Sequence, residues 1–182
     1  MKSAVEQLST YKSVHLNKKN VWTHFIGVPA IIWSLIVFFS LVELPVPLAD
    51  SGYSLTLAMI FFAGVLIYYF MLHTSLAIGQ LIFILPTFYT AHLVAQMPGA
   101  VWIASSVFVV AWIIQFIGHH YEKAKPAFVD DLNQLLIGPF FLMAELFFML
   151  GKLKALEKEI TPLAVDKRRR FEAKRKSVAT SS

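Results

Sequence analysis

Five long apolar segments divide the chain, and polar residues collect between and around them. These segments are roughly Val28–Leu44, Ser54–His73, Leu76–Gln96, Ala100–Gly118 and Leu135–Leu150. A transmembrane helix needs about 20 apolar residues, with about 17 near the lower limit. The middle three segments reach this length, and the first reaches it if Val21–Gly27 continues the helix. The fifth is short, is interrupted by Gly138-Pro139 and contains Glu145.

Charged residues are almost missing from the apolar part of the chain. No lysine or arginine occurs between Lys19 and Lys123, and the acidic residues of that interval are Glu43, Asp50 and Glu122. Hydrophobic residues make up 57% of the chain, against about 45–50% in a soluble domain. A soluble protein could not cover its surface with so few charges. The pattern therefore predicts an integral membrane protein.

The distribution of basic residues predicts how the chain is oriented. Four lysines lie within residues 1–20, and ten of the sixteen basic residues lie between Lys152 and Lys176. Basic segments beside membrane spans stay in the cytoplasm, which places both ends there and requires an even number of crossings. We therefore predict an all-α fold, a compact bundle of about four transmembrane helices. The fifth apolar segment is then a short re-entrant or interfacial helix.

One membrane domain followed by a tail is expected. Residues 1–154 would form the domain, which begins with a cytoplasmic segment that contains histidines. Residues 155–182 include Lys167-Arg168-Arg169-Arg170 and are predicted to be a partly disordered cytoplasmic tail near anionic lipid. No nucleic-acid partner is expected. The chain contains no cysteine, which excludes disulfides and thiolate metal sites.

The first histidine cluster precedes the first apolar segment. Asn17 is predicted to cap a helix that begins near Lys18, and Asn20 and His24 then share one face of that helix. His15 lies two and a half turns before His24, so the two would point in opposite directions on one straight helix. They converge only if the chain bends between them, and the cap at Asn17 offers that bend. The alternative is a solvated His15 and an interfacial His24.

The second cluster stands at the end of the fourth apolar segment. His119 and Glu122 are three residues apart and lie on one helical face, which is a metal-binding arrangement in helical bundles. His120 points about 100° away from that face. The alternative is a helix end that is stabilised by an ion pair between Glu122 and a neighbouring lysine.

Three further ionisable residues lie within or beside apolar segments. Glu145 needs a partner or a proton, because a charge at membrane depth costs roughly 2.5–3.5 kcal/mol. His73 is expected to be interfacial, and His92 lies near the far end of its segment, away from the other histidines.

A metal site follows from these clusters. His15, His24 and His119 with Glu122 or Glu145 would provide nitrogen and oxygen ligands without sulfur. Such a set suits non-haem Fe(II) and could also hold Zn or Mn. A metal at the cytoplasmic rim of a membrane bundle predicts a lipid substrate, whose polar head reaches the metal while its chain lies among the helices.

Three stretches resemble the signatures of a small family of membrane 2-hydroxy fatty acid dioxygenases, long classified as a domain of unknown function. They are Tyr11-x3-His15-x-Asn17-x2-Asn20-x3-His24-x3-Val28-Pro29, Gln115-Phe116-x-Gly118-His119-x2-Glu122-Lys123-x2-Pro126-Ala127, and Gly138-Pro139 followed by Glu145. The resemblance covers the chain from about Tyr11 to Lys154. The family includes a fungal enzyme of the endoplasmic reticulum that acts in phytosphingosine breakdown, and bacterial relatives in the cytoplasmic membrane.

The resemblance implies the chemistry of sphingolipid and fatty acid α-oxidation. An Fe(II) enzyme would convert a long-chain 2-hydroxy fatty acid and O2 into CO2 and a fatty acid one carbon shorter. The metal ligands are then His15, His24, His119 and Glu122. Residues that would support or replace these ligands are Asn20, Glu145 and His92, and Lys19 or Lys123 would attract the substrate carboxylate. The alternatives are a non-catalytic membrane protein that binds metal or lipid, and a Zn-dependent lipid hydrolase.

Overall fold

A computed structural model describes residues 2–47, 54–129 and 131–180 of the chain. The described part is almost entirely helical. It contains the helices α1 (Ala4–Lys12), α2 (Lys18–Ser40), α3 (Leu57–Leu72), α4 (Thr74–Ala95), α5 (Ala100–Glu122), α6 (Gln134–Met149) and α7 (Lys154–Thr180), the strands β1 (Glu43–Pro47) and β2 (Ser54–Thr56), and a 3₁₀ turn at Ala127–Val129.

The chain divides into two compact units. Unit 1 comprises Met1–Trp22 and Ile117–Ser182, and unit 2 comprises Thr23–Phe116. The boundaries of the two units fall within α2 and within α5.

Among the described residues, three helices are long and apolar enough to cross a membrane, namely α2, α4 and α5. The expected extension of the first apolar segment is confirmed, because α2 begins at Lys18. Helices α3 and α6 are apolar but have only 16 residues each. The structure therefore has three of the four predicted long spans. The predicted second span is shorter than expected, because Ser54–Thr56 forms strand β2 instead of a helical turn. Thr56 caps α3 there, and its Oγ1 accepts a hydrogen bond from the Met59 amide at 3.4 Å.

The two strands were missed by sequence reasoning, which assigned their residues to helix ends and a connection. β1 and β2 are antiparallel, with Glu43 opposite Thr56 and Pro47 opposite Ser54. Pro45 and Pro47 explain why the helix does not continue, since proline lacks the amide hydrogen of a helix interior and suits extended edge strands.

Unit 2 is held together by close helix contacts. A Cβ on Gly27 of α2 would lie 3.1 Å from the Ala111 carbonyl oxygen and from the Gln115 side chain of α5. Glycine thus permits the approach of α2 and α5, as small residues do between membrane helices. Trp33 donates a hydrogen bond to Thr90 Oγ1 at 3.2 Å, which connects α2 to α4.

Unit 1 is built around α1, which packs against α6 and α7. Helix α6 supplies fully buried side chains, including Ile137, Phe140 and Phe141. The predicted interruption at Gly138-Pro139 is wrong, because α6 is continuous with Pro139 inside it. Pro139 is the sixth residue of α6, beyond the first turn, so its missing amide removes one intrahelical hydrogen bond.

Most of the basic tail forms helix α7, and residues 181–182 lie outside the described residues. Ile160 and Ala164 of α7 are fully buried. The helix therefore has an apolar face that packs within unit 1.

Candidate metal centre

Three histidines converge in the structure. Among the described residues, His15, His24 and His119 form a group that could hold a metal ion, with one ligand atom from each lying within 4.8 Å of the others. All three side chains are buried. This confirms the convergence that the sequence predicted for residues about a hundred positions apart.

The predicted bend between His15 and His24 is present. Helix α1 ends at Lys12, and α2 begins at Lys18. Asn17 caps α2, and its Oδ1 accepts a hydrogen bond from the Lys19 amide at 2.9 Å. Because a cap residue has a non-helical backbone, the loop before α2 is free to bring His15 back towards the helix that carries His24.

Tyr11 sets the orientation of His15. The two rings are stacked, with centroids 4.1 Å apart and planes within 3°. His15 Nδ1 lies 2.7 Å from the Tyr11 carbonyl oxygen, which can only accept a hydrogen bond. Nδ1 is therefore the protonated nitrogen, and Nε2 has the lone pair that a metal needs. Burial raises the pKa of the Tyr11 phenol, which stays neutral at physiological pH.

His119 is carried by the last turn of α5, which ends at Glu122. Lys123 adopts a left-handed backbone with φ of 55°, a conformation that commonly terminates helices. The His119 and His15 rings meet edge to face, with centroids 5.0 Å apart. His120 is exposed, as the helical spacing predicted.

The Glu122 carboxylate lies beside the histidine group, and its hydrogen bonds go to the loop that follows His15. Its carboxylate accepts hydrogen bonds from the backbone amides of Leu16 at 3.2 Å and Asn17 at 2.8 Å. It also accepts one from Asn20 Nδ2 at 3.3 Å, and Asn20 donates as well to the Val14 carbonyl oxygen at 3.2 Å. The carboxylate is buried and connects the end of α5 to the loop that contains His15.

Glu145 has a different partner from those that the sequence suggested. Its carboxylate forms an ion pair with Lys12 of α1, and the two side chains are only 16% and 13% exposed. The ammonium group also lies 5.8 Å from the ring centroid of Phe141. Lys12 thus supplies the charge that a buried carboxylate requires.

The other predicted residues lie outside the histidine group. His92 is on α4, where its Nε2 is 2.7 Å from Gln96 Nε2, and His73 is the residue between α3 and α4. Lys19 is exposed, with its Nζ 5.2 Å from the Tyr121 ring centroid, and Lys123 is exposed.

Arg168 contacts this site and was missed by sequence reasoning. Its Nη1 lies 3.3 Å from Glu122 Oε1, and its Nη2 donates to the Glu122 carbonyl oxygen at 3.0 Å. In the sequence it is one of four consecutive basic residues, and Arg170 also has an acidic residue four positions away, Asp166. The spacing from Arg168 to Glu172, which accepts a hydrogen bond from Arg168 Nε at 2.7 Å, therefore did not single out Arg168.

The fold and site together define a helical protein with apolar helices long enough to cross a membrane and a buried three-histidine group. The sequence profile of the Mpo1-like family, described as 2-hydroxy-palmitic acid dioxygenase Mpo1-like, matches residues 1–150. The chain belongs to this family. It is also 34% identical over 157 residues to the 2-hydroxy-palmitic acid dioxygenase MPO1 of Saccharomyces cerevisiae, an alignment that covers 83% of each chain. No solved structure matches the chain.

Proposed function

We propose that this protein is an Fe(II)-dependent dioxygenase that shortens 2-hydroxy fatty acids by one carbon. The observation that carries the proposal is the convergence of His15, His24 and His119 in a chain that belongs to the Mpo1-like family. The yeast relative is named for action on 2-hydroxy-palmitic acid, which supports the same class of substrate here.

The residues present fit a bound metal ion. Metal–nitrogen bonds to histidine are about 2.1 Å, so two nitrogens on one ion lie at most about 4.2 Å apart. The ligand atoms of the group lie within 4.8 Å of one another, and small rotations of the side chains close that difference. Three neutral imidazoles without sulfur suit iron, and three ligands leave positions for a substrate.

The reaction balances without a further reductant. A 2-hydroxy fatty acid and O2 give a fatty acid one carbon shorter, CO2 and water, as the bond between C1 and C2 breaks. Those two carbons together lose four electrons, which reduce one O2. When bound, iron supplies the redox and Lewis-acid chemistry of this step.

The protein contributes orientation and a dry environment. The Tyr11 carbonyl fixes the tautomer of His15, and the buried positions of the three histidines keep water from the reacting groups. The exposed Lys19 and Lys123 remain candidates to attract the carboxylate of an arriving substrate. Glu122 remains a candidate fourth ligand, although its oxygens are occupied by the loop after His15.

We further propose four membrane crossings with the site on the cytoplasmic side. The beginning of α2 and the end of α5 meet, because Glu122 bonds to Asn17 and Asn20. An even number of crossings must then separate them, so α3 has to cross along with α2, α4 and α5. At about 1.5 Å per residue its 16 residues span about 24 Å, slightly less than a typical hydrocarbon core. The basic residues at both ends favour a cytoplasmic location for the termini.

We also propose a membrane domain followed by a basic C-terminal segment. Residues 1–154 form the membrane domain, and residues 155–182 follow as a basic segment on the same side of a bacterial cytoplasmic membrane or the endoplasmic reticulum.

Purified protein, loaded anaerobically with Fe(II), tests the function. After incubation with 2-hydroxypalmitic acid under air, we expect pentadecanoic acid and CO2 in equal amounts, with matching oxygen uptake. Palmitic acid, which lacks the hydroxyl group, should not react, and the His120→Ala variant should behave as the wild type. The proposal would be contradicted if the protein contained zinc instead of iron and hydrolysed esters. It would also be contradicted if the protein bound iron but formed no fatty acid one carbon shorter.

A further inference from the structure

Glu122 organises the segment that presents His15. Its two carboxylate oxygens accept the amides of Leu16 and Asn17, the two residues that follow His15. Hydrogen bonds to an ionised carboxylate are stronger than those between neutral groups. Glu122 is itself one helical turn beyond His119. The carboxylate therefore couples the position of one metal-ligand candidate to that of another.

Arg168 of α7 holds this carboxylate from the other side. Its Nη1 pairs with Glu122 Oε1 and its Nη2 bonds to the carbonyl oxygen of the same residue. The Arg168 side chain is 16% exposed and that of Glu122 is 3% exposed. A carboxylate so deeply buried requires a cation, and Arg168 supplies it. The bond to the carbonyl also satisfies a backbone acceptor at the end of α5.

Each of the three guanidinium nitrogens of Arg168 bonds to a protein oxygen. Its Nε donates to Glu172 at 2.7 Å, so two carboxylates fix its plane. The rigid fork of arginine makes such contacts directional, which a lysine cannot reproduce. Since Nε, Nη1 and Nη2 all bond to protein oxygens, Arg168 is suited to positioning Glu122 rather than to binding a substrate carboxylate.

Helix α7 is fixed on unit 1 independently of Arg168. The neighbouring Lys167 donates to Ser9 Oγ at 2.9 Å, to Thr10 Oγ1 at 2.6 Å and to the Glu6 carbonyl oxygen at 3.2 Å, all on α1. The buried Ile160 lies on the same helix. These contacts set the register of α7, which determines that Arg168 and not an adjacent arginine reaches Glu122.

We propose that Arg168 is a positioning residue that holds His15 in the metal centre through Glu122. It lies 18 residues beyond the part of the chain that the family profile matches, on a basic helix that would otherwise be assigned only to lipid contact. The inference rests on the proposed metal site. It implies that the C-terminal helix completes that site.

Iron affinity measured by chelator competition tests this role. Arg168→Ala should weaken Fe(II) binding by about 10–100-fold, the range found when a group that supports a metal ligand is lost. Arg169→Ala is the matched control, because Arg169 is exposed on the same helix, and it should bind iron as the wild type does. Arg168→Lys keeps the charge but not the fork, and a several-fold loss is expected.

Amide hydrogen exchange of the metal-free proteins provides a second readout. The amides of residues 16–17 should exchange faster in Arg168→Ala than in the wild type, while those of α2 beyond residue 24 should not change. Native helical content and a single detergent size-exclusion peak establish that the variants are folded. If Arg168→Ala does not fold, the same measurements are made on the folded Arg168→Lys variant.

Two results would overturn the inference. The first is an iron affinity in the folded Arg168→Ala variant that equals that of the wild type; if Arg168→Ala does not fold, Arg168→Lys is used for this comparison. The second is an unchanged rate of amide exchange at residues 16–17. A wild-type protein that binds no iron contradicts the proposed function instead, and the exchange comparison still tests Arg168 because it requires no metal.

Discussion

We predict that a side chain at Gly138 would displace His15 through Tyr11, which stacks on the His15 ring. A Cβ at Gly138 would lie 3.0 Å from the Tyr11 hydroxyl oxygen and 3.5 Å from Tyr11 Cζ. Ordinary contacts of a Cβ fall between 3.4 and 4 Å. The phenol must therefore move by a few tenths of an ångström in a Gly138→Ala variant.

Tyr11 has little room for this movement. It is 7% exposed, its ring stacks on His15, and its other contacts include Phe141, whose centroid is 4.9 Å away. A tightly packed ring transmits displacement to its neighbours. The ring of His15 should therefore tilt, and its Nε2 should leave the position shared with the other two histidines.

The magnitude follows from two opposing effects. Overpacking a well-packed site costs about 1–3 kcal/mol, and replacing glycine by alanine inside a helix returns about 1 kcal/mol. The net loss of unfolding free energy is then about 0–2 kcal/mol. If about 1.4 kcal/mol of strain falls on the metal-bound form, iron affinity decreases about tenfold.

Gly64→Ala is the matched control, because nothing lies within 4 Å of its added Cβ on the apolar helix α3. Thermal unfolding in detergent and Fe(II) affinity should both fall in Gly138→Ala and stay constant or rise in Gly64→Ala. If Gly138→Ala keeps wild-type iron affinity, or if both variants lose it equally, the proposed path from Gly138 through Tyr11 to His15 is wrong.

Three further predictions concern the histidine group and the buried ion pair. His24→Ala and His119→Ala should each abolish stoichiometric iron binding, measured by metal analysis, whereas the exposed His120→Ala should not; iron retained in the first two variants would contradict the assigned ligands. Lys12→Ala should lower the unfolding free energy by about 3 kcal/mol because it leaves Glu145 buried without its cation. Lys12→Met combined with Glu145→Leu should recover most of that loss, and an equally unstable double variant would argue against the ion pair. Removing the metal with a chelator should lower the melting temperature, because a ligand of the folded state alone stabilises it by mass action; an unchanged value would mean that the group holds no metal.

The apolar helices were predictable because each is encoded by local sequence. The hydrophobic segments Leu76–Gln96 and Ala100–Gly118 predicted α4 and α5. The observed ends of these helices differ from the predicted ones by at most a few residues. The helix prediction for Ser54–Thr56 was wrong for a physical reason. These residues pair with a strand about ten positions away, and such pairing competes with helix formation without a signal in the local sequence. The continuity of α6 through Pro139 likewise depended on burial against α1, which no local pattern contains.

The sequence by itself determined which residues form the histidine group. The cap at Asn17 predicted the bend, helical spacing separated His119 from His120, and the expected even number of crossings predicted that the two clusters lie on one side. These inferences depend on backbone geometry, which acts over a few residues and follows general rules.

Only the tertiary structure decided what each carboxylate does. Glu122 and Arg168 are 46 residues apart, and Lys12 and Glu145 are 133 apart. Spacing along one helix identifies side chains that share a face, but an ion pair between separate elements depends on how those elements pack. The sequence therefore indicated that Glu145 needed a partner, and the packing of α1 against α6 determined that the partner is Lys12.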